Sequence, residues 1–242
     1  MIGNKTIAAK KNTRFRESLL DTFFPKVCVG CGKIDTFLCP KCHSKIVRIK
    51  SPLCLGCGRL SEKGRYCPRC KLKTKLNGVV IAAHYEEGPL KEAIHTYKYE
   101  FVYDLKNVLA TFLADALKRE GFNEKYILTY VPLHPKKENW RGFNQSKLLA
   151  EEVSNITGLE LMENILKRKK NNPRQIELKR RKRFENVKDI FSVNEEIVDK
   201  ISGKKIILAD DIITTGATLG ECAKVLKENG ARQVWGLVLG KH

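Results

Sequence analysis

From residue 77 onward the apolar positions fall into short unbroken blocks separated by stretches of helical period. GVVIAAHY, ILTYVPL, KKIILADDII and VWGLVLG are runs of strand length, and their continuous apolarity marks strands buried on both faces. Between them, Asp104 stands where it can cap a helix carrying Leu105, Val108, Leu109, Phe112, Leu113, Ala116 and Leu117 on one face, closed by Gly121. Leu149, Val153 and Ile156 recur at i, i+4 and i+7 in a second helix that stops at Gly158, and TLGECAKVLKENG reads as a third. Cys222 belongs to the stripe Leu219, Cys222, Ala223, Leu226, so it is expected in the core and not as a nucleophile. Buried strands alternating with helices predict an α/β fold, a parallel sheet covered on both faces with function beyond the carboxyl ends of its strands. Far upstream, residues 14–24 read as a short amphipathic helix with Phe15, Leu19, Leu20 and Phe23 on one face, ended by Pro25 and packing against the α/β domain.

A different pattern occupies residues 27–76. Eight of the nine cysteines form four CxxC pairs: Cys28/Cys31, Cys39/Cys42, Cys54/Cys57 and Cys67/Cys70. A CxxC turn aims two thiolates at one ion, and two such turns complete a tetrahedral site suited to zinc. Gaps of seven and nine residues between paired knuckles leave room for short hairpins. Two sites in sequence are the simplest assignment, with a cross-braced pairing of first with third and second with fourth knuckle as the alternative. A disulfide framework belongs to secreted chains, and the charged start MIGNKTIAAKKNTRFRESLL is not a secretory signal. Four cysteines fill each site, which makes the zinc structural and His43 a surface histidine. The chain thus divides into a tail and helix over 1–26, a cysteine module over 27–76 and the α/β domain over 77–242.

Charge sharpens this division. The 242 residues carry a formal +19, yet residues 1–76 hold +14 and residues 167–188 hold +9, while the two intervening and following stretches are −3 and −1. Eight thiolates and two zinc ions bring the first module to about +10, still basic. Focused positive charge points to a polyanionic partner, against the alternative of a solvated basic face. At 42% hydrophobic and 30% charged residues the chain is globular. No apolar run approaches the roughly 18 residues of a membrane span, so a cytoplasmic location is expected.

The segment IILADDIITTGATLGECAKVL carries the clearest chemistry. Asp210 and Asp211 end an apolar strand, and Thr214, Thr215, Gly216, Ala217 and Thr218 open a helix whose N–H groups and dipole suit a phosphate. Two carboxylates beside such a cradle make sense for a ligand that also offers hydroxyls or a hydrated divalent cation. A ribose 5-phosphate with Mg²⁺ meets both requirements. There is no GxxxxGK[ST], which excludes the usual nucleotide P-loop.

The string hhhhDDhhTTGxT resembles the 5-phosphoribosyl 1-pyrophosphate (PRPP) motif of type I phosphoribosyltransferases. With VP, RGFNQS, then Gln175, Leu178, Arg183, Asn186 and Phe191, all behind paired zinc knuckles, the chain from about residue 19 resembles the ComF/ComFC late-competence family. The resemblance implies a phosphoribosyltransferase-like parallel-sheet domain preceded by a small double zinc-ribbon module. It makes Asp210 and Asp211 the catalytic, ribose-hydroxyl ligands and Thr214 to Thr218 the 5-phosphate loop. His134, Pro135, Lys136 and Lys137 become the pyrophosphate loop, with Arg141 and Asn144 nearby, and Arg181 and Arg183 belong to a lid within residues 167–191.

The implied ligands are two structural zinc ions and Mg²⁺ with PRPP. The implied partners are single-stranded DNA and the helicase or DNA-processing proteins of competence. Arg168, Lys169, Lys170, Arg180, Arg181 and Arg183 are the expected nucleic-acid contacts, with Trp140, Phe143, Phe184 and Tyr66 available to stack on bases. Two functions stay open: a DNA-uptake factor that keeps a sugar-phosphate pocket, and an active phosphoribosyltransferase on an unidentified acceptor. An active member would expel pyrophosphate from the sugar C1 through an oxocarbenium-like transition state, and no dedicated general base is visible. The chain begins Met-Ile and not with a nucleophilic cysteine, so glutamine-derived ammonia is not expected as the acceptor.

Overall fold

Successive side chains of a strand point to opposite faces, so a strand apolar at every position needs cover on both sides. The central strands meet this condition. The computed structural model describes residues 25–86, 88–100, 102–169 and 189–242. Strands β1 (Gly78–Ile81), β2 (Tyr126–Tyr130), β3 (Glu160–Leu161), β6 (Lys205–Ile213) and β7 (Gln233–Lys241) form a parallel sheet in the order β1-β7-β6-β2-β3. Strands β4 (Leu166–Arg168) and β5 (Phe191–Val193) make a separate antiparallel pair. The helices are α1 (Pro40–Ser44), α2 (Pro68–Lys71), α3 (Pro89–Tyr99), α4 (Leu105–Arg119), α5 (Pro135–Arg141), α6 (Gln145–Thr157), α7 (Val198–Ile201) and α8 (Ala217–Glu228). Ile207, Ala209, Leu237 and Leu239 pack on one face with α3, α4 and α6. Ile206, Leu208, Val234 and Val238 pack on the other with α8, β4 and β5. Among the described residues no helix is long and apolar enough to cross a membrane.

The parallel α/β sheet agrees with the apolar pattern, and several local expectations change. Helix α4 starts where expected, but Asp104 already has helical backbone (φ −64°, ψ −20°) and makes no side-chain cap. Its carboxylate instead lies 4.0 Å from Lys26 Nζ. Ile156 is 51% exposed, because the buried stripe of α6 runs through Leu149, Ala150 and Val153. GVVIAAHY is strand only over its first half. The stretch expected as a loop after β2 contains helix α5, with Pro135 in its first turn and the His134 ring nitrogen Nδ1 accepting from Lys136 N at 3.2 Å. Gly142, left-handed at φ 77°, ends it. Cys222 is fully buried against the sheet, as its stripe requires. The helix expected over residues 14–24 lies outside the described residues.

The cysteine module does not stand apart from the sheet. It brackets β1, with bridges from Arg48 to Ala83 and from Arg65 to Gly78. An edge strand of an open sheet exposes unpaired backbone groups, and the module covers this one. Cys28, Cys39 and Cys42 join the core on the α3/α4 face, where His43, expected at the surface, stacks on Phe112 at 4.8 Å. Cys54 and Tyr66 join the core on the α8 face. The close approach depends on Gly64, whose backbone is left-handed (φ 70°) and whose added Cβ would lie 2.1 Å from the Val79 carbonyl oxygen. Gly58 has the same backbone (φ 73°) with open space around it. Gly64→Ala should therefore cost more than about 2 kcal/mol and Gly58→Ala about 1 kcal/mol. Equal melting temperatures for the two variants would contradict this account of the docking.

Candidate functional site

Asp210 and Asp211 end the buried run of β6, at the carboxyl edge of the parallel sheet. Two consecutive acids there cannot both face bulk water, and the neighbouring elements supply what they need. Ser146, buried in the first turn of α6, donates its hydroxyl to Asp210 Oδ1 at 2.9 Å, and the Asp211 N–H donates to the same oxygen at 2.9 Å. Asp211 Oδ1 accepts from Ile212 N, and its Oδ2 pairs with Lys98 Nζ at 2.8 Å. Lys98 lies on the inner face of α3 with its side chain only 5% exposed. Burial and then the Asp211 charge push the Asp210 carboxyl up to about 7, against the Ser146 hydrogen bond and the Lys98 charge.

The phosphate-type loop follows directly. Gly216 is left-handed (φ 79°) at the N-cap of α8, and the Thr215 hydroxyl accepts from Ala217 N at 3.3 Å. Thr214 is exposed and Thr215 and Thr218 are half-buried, on the short turn that leads from the acid-bearing end of β6 into α8. Across the edge, Asn144 organises the segment RGFNQS. Its side chain accepts from Ser146 N at 3.0 Å and Lys147 N at 3.3 Å, capping α6, and donates to the Val131 carbonyl at 3.2 Å. This one amide ties the end of β2 to the helix that holds Asp210. Desolvation, then the Arg168, Lys136 and Lys137 charges, lower the His134 pKa. The Arg168 charge is thus felt at the loop of His134, Pro135, Lys136 and Lys137. Lys169 is exposed at the end of β4. Lys170, Arg180, Arg181, Arg183, Phe184, Gln175, Leu178 and Asn186 lie outside the described residues.

The cysteines form two sets in sequence, Cys28/Cys31/Cys39/Cys42 and Cys54/Cys57/Cys67/Cys70, each with its sulfurs within 4.8 Å of one another. Cross-bracing is excluded. Sulfur–sulfur distances of 3.6 Å (Cys31–Cys39) and 3.8 Å (Cys57–Cys67) match the tetrahedral edge of about 3.8 Å that a metal–sulfur bond of about 2.3 Å implies. Burial opposes ionisation of Cys28 and Cys54, but backbone N–H groups outweigh it and bring both thiols down to about 6. Burial and neighbouring thiols drive Cys42 up to about 12, and hydrogen bonding to Cys67 together with burial does the same to Cys70. Four thiolates this close need a dication, and a closed four-sulfur set suits structural zinc.

Residues 19–71 match the double zinc ribbon domain. Over 222 residues the chain is 30% identical to competence protein F of Haemophilus influenzae, covering 83% of this chain and 96% of that one. The chain belongs to that family. It is also 31% identical to competence protein ComFC of Streptococcus pneumoniae (83% and 86% covered) and 29% identical to the DNA utilization protein YhgH of Escherichia coli (86% and 87%).

Some side chains that support the acid pair escape the sequence reading. Lys98 was not singled out, although a cation following Leu90, Ala93, Ile94 and Tyr97 in an amphipathic stripe is the signal that could have found it. Ser146 is another. Conversely, Phe143 and Tyr66 are buried at 6% and 9% exposure, so they cannot stack on bases, whereas Trp140 is 68% exposed. Removing one partner of a buried pair strands the other charge, so Lys98→Ala should cost about 3 kcal/mol, largely recovered in Lys98→Ala/Asp211→Asn. Asp210 holds its proton more tightly folded than unfolded, so its contribution to stability is lost as pH rises from about 4 to about 7. Asp210→Asn keeps both accepted hydrogen bonds and should gain on the order of 1 kcal/mol over wild type at pH 8, and little near pH 4. Urea titrations at the two pH values check both predictions.

Proposed function

We propose that the pocket at the carboxyl end of β6 binds PRPP with Mg²⁺ and that the chain is a ComF-type protein handling single-stranded DNA during uptake in natural transformation. The observation that carries the reading is the meeting, at one sheet edge, of a supported carboxylate pair, a glycine-opened helix N-terminus and a cluster of cations. Each matches one part of the ligand. Asp210 and Asp211 hold the ribose hydroxyls, and the loop from Thr214 to Thr218 holds the 5-phosphate. His134, Pro135, Lys136 and Lys137 hold the pyrophosphate, and Arg181 and Arg183, outside the described residues, are assigned to it by the family resemblance. Hard carboxylate oxygens suit Mg²⁺, which when bound supplies positive charge beside the pyrophosphate. The competence relatives and the double zinc ribbon support the DNA-uptake setting. Arg168, Lys169, Lys170, Arg180, Arg181 and Arg183 contribute the phosphate contacts to DNA, and among the described residues exposed Trp140 is the remaining stacking side chain.

A second reading, transfer of ribose 5-phosphate to an unidentified acceptor, is favoured by the retention of both carboxylates with their own supporting partners. In that case the carboxylates stabilise positive charge on the departing sugar, and the loop cations stabilise the leaving pyrophosphate. Pyrophosphate release in the presence of single-stranded DNA or candidate bases separates the two readings.

Calorimetric titration with PRPP and Mg²⁺ should show saturable binding to wild type and none to Asp210→Asn/Asp211→Asn, with zinc content unchanged. Absence of binding by folded wild type would remove the pocket from the function. Binding to a single-stranded oligonucleotide should weaken roughly tenfold or more between about 50 and 200 mM salt, and again when Arg180, Arg181 and Arg183 become Ala. Anisotropy insensitive to both changes would remove the DNA assignment.

A further inference from the structure

We infer that the second zinc ribbon is a working wall of the phosphate loop, with Leu55 and Tyr66 as positioning residues, so that metal held by Cys54, Cys57, Cys67 and Cys70 sets the affinity for a sugar phosphate. The inference rests on the reading of that loop given above. Gly216, the left-handed residue that opens α8, is where ribbon and loop meet. A Cβ on Gly216 would lie 3.3 Å from Leu55 Cδ2, 3.5 Å from Ile213 Cδ1 and 3.7 Å from Tyr66 Oη. Two of these three neighbours come from the ribbon.

Both ribbon residues are one peptide bond from a metal ligand: Leu55 follows Cys54, and Tyr66 precedes Cys67. The two knuckles are themselves linked, since Cys67 N donates to Cys54 Sγ at 3.5 Å. On the other side, a Cβ on Gly56 would meet Cys70 Sγ at 2.8 Å and Tyr66 Cε1 at 3.6 Å, which leaves the tyrosine ring held between knuckle and loop. Cys54, Tyr66, Leu55, Ile213 and Leu219 belong to one packed core. The first metal site sits elsewhere. Its cysteines pack on the opposite face of the sheet, where the Gly30 position meets Pro89.

The arrangement makes the loop conformation depend on the knuckles. Without a metal, the four cysteines lose the common centre that holds Leu55 and Tyr66 at fixed positions, and these two residues are among the nearest neighbours of the Gly216 turn. Linkage requires the reverse effect as well: a ligand that orders the loop must tighten metal binding at the second site. That site is also the more open of the two, with Cys57 exposed and Cys67 and Cys70 half-buried, whereas only Cys31 is exposed in the first.

The test uses the full chain loaded with two zinc ions, as wild type, Leu55→Ala, Leu55→Met and Tyr66→Phe. Three readouts are taken: zinc content, hydrogen exchange of the peptide covering residues 214–220, and titration with Mg²⁺ and PRPP. Leu55→Ala should retain both zinc ions, exchange about tenfold faster in that peptide and bind PRPP about tenfold more weakly, with Leu55→Met restoring both. A role in stability alone would not spare zinc content while moving one peptide. Under a chelator, PRPP should slow alkylation of Cys57 and leave Cys31 unchanged. Loop exchange identical in wild type and Leu55→Ala, or equal effects of PRPP on Cys57 and Cys31, would overturn the inference. If wild type does not bind PRPP, the ligand reading fails by itself, and loop exchange before and after zinc extraction still decides the coupling. Should Leu55→Ala lose zinc, the comparison passes to Tyr66→Phe, which removes only the hydroxyl at the loop.

Discussion

Two carboxylates in succession at the end of a buried strand set the electrostatic condition to which the surrounding elements conform. Left alone, Asp210 and Asp211 would repel each other in a poorly solvated place. The fold answers with Lys98 from α3, Ser146 from α6 and the strand's own N–H groups. α6 can serve Asp210 only because Asn144 caps it and fastens it to the end of β2. The acids are thus the shared boundary of three elements, whose contacts fix their geometry. A buried ion pair is a poor way to gain stability, since desolvation offsets most of its attraction.

The zinc ribbons solve a second problem with the same economy. A module of about fifty residues with few apolar side chains cannot bury enough surface to fold alone. Metal supplies part of the missing stabilisation, and the α/β domain supplies the rest by lending both faces of its sheet. In return the module closes the β1 edge. The two metal sites end on opposite faces, one against α4 and the other against the turn that opens α8.

How far the chain could be read depended on whether the relevant physics was local. Continuous apolar blocks exposed the central strands, because burial on both faces leaves its mark at every position. The eight cysteines announced metal sites through spacing alone. Helix α3 escaped notice because its stripe contains Lys98, a residue that local reasoning sends to solvent. Asp104 looked like a cap because residue type was visible while its backbone angles were not. Phe143 and Tyr66 looked like stacking residues because aromatic rings beside basic ones read the same whether they face solvent or core. The strands β4 and β5, three residues each, are too short to carry a period.

The order of apolar and polar residues alone specified a parallel α/β sheet, two sets of thiolate ligands and an acid–acid–loop segment at the end of a strand. Those features arise from contacts within a few residues, where spacing and geometry are the same thing. The partners of those groups needed the folded chain. Lys98 is 113 positions from Asp211, Ser146 is 64 from Asp210, and Leu55 is 161 from Gly216. Sequence separation carries no information about which side chains a sheet brings to one edge. Strand order and helix packing decided that, and with it the partners of the acids and the meeting of the second ribbon with the turn that opens α8.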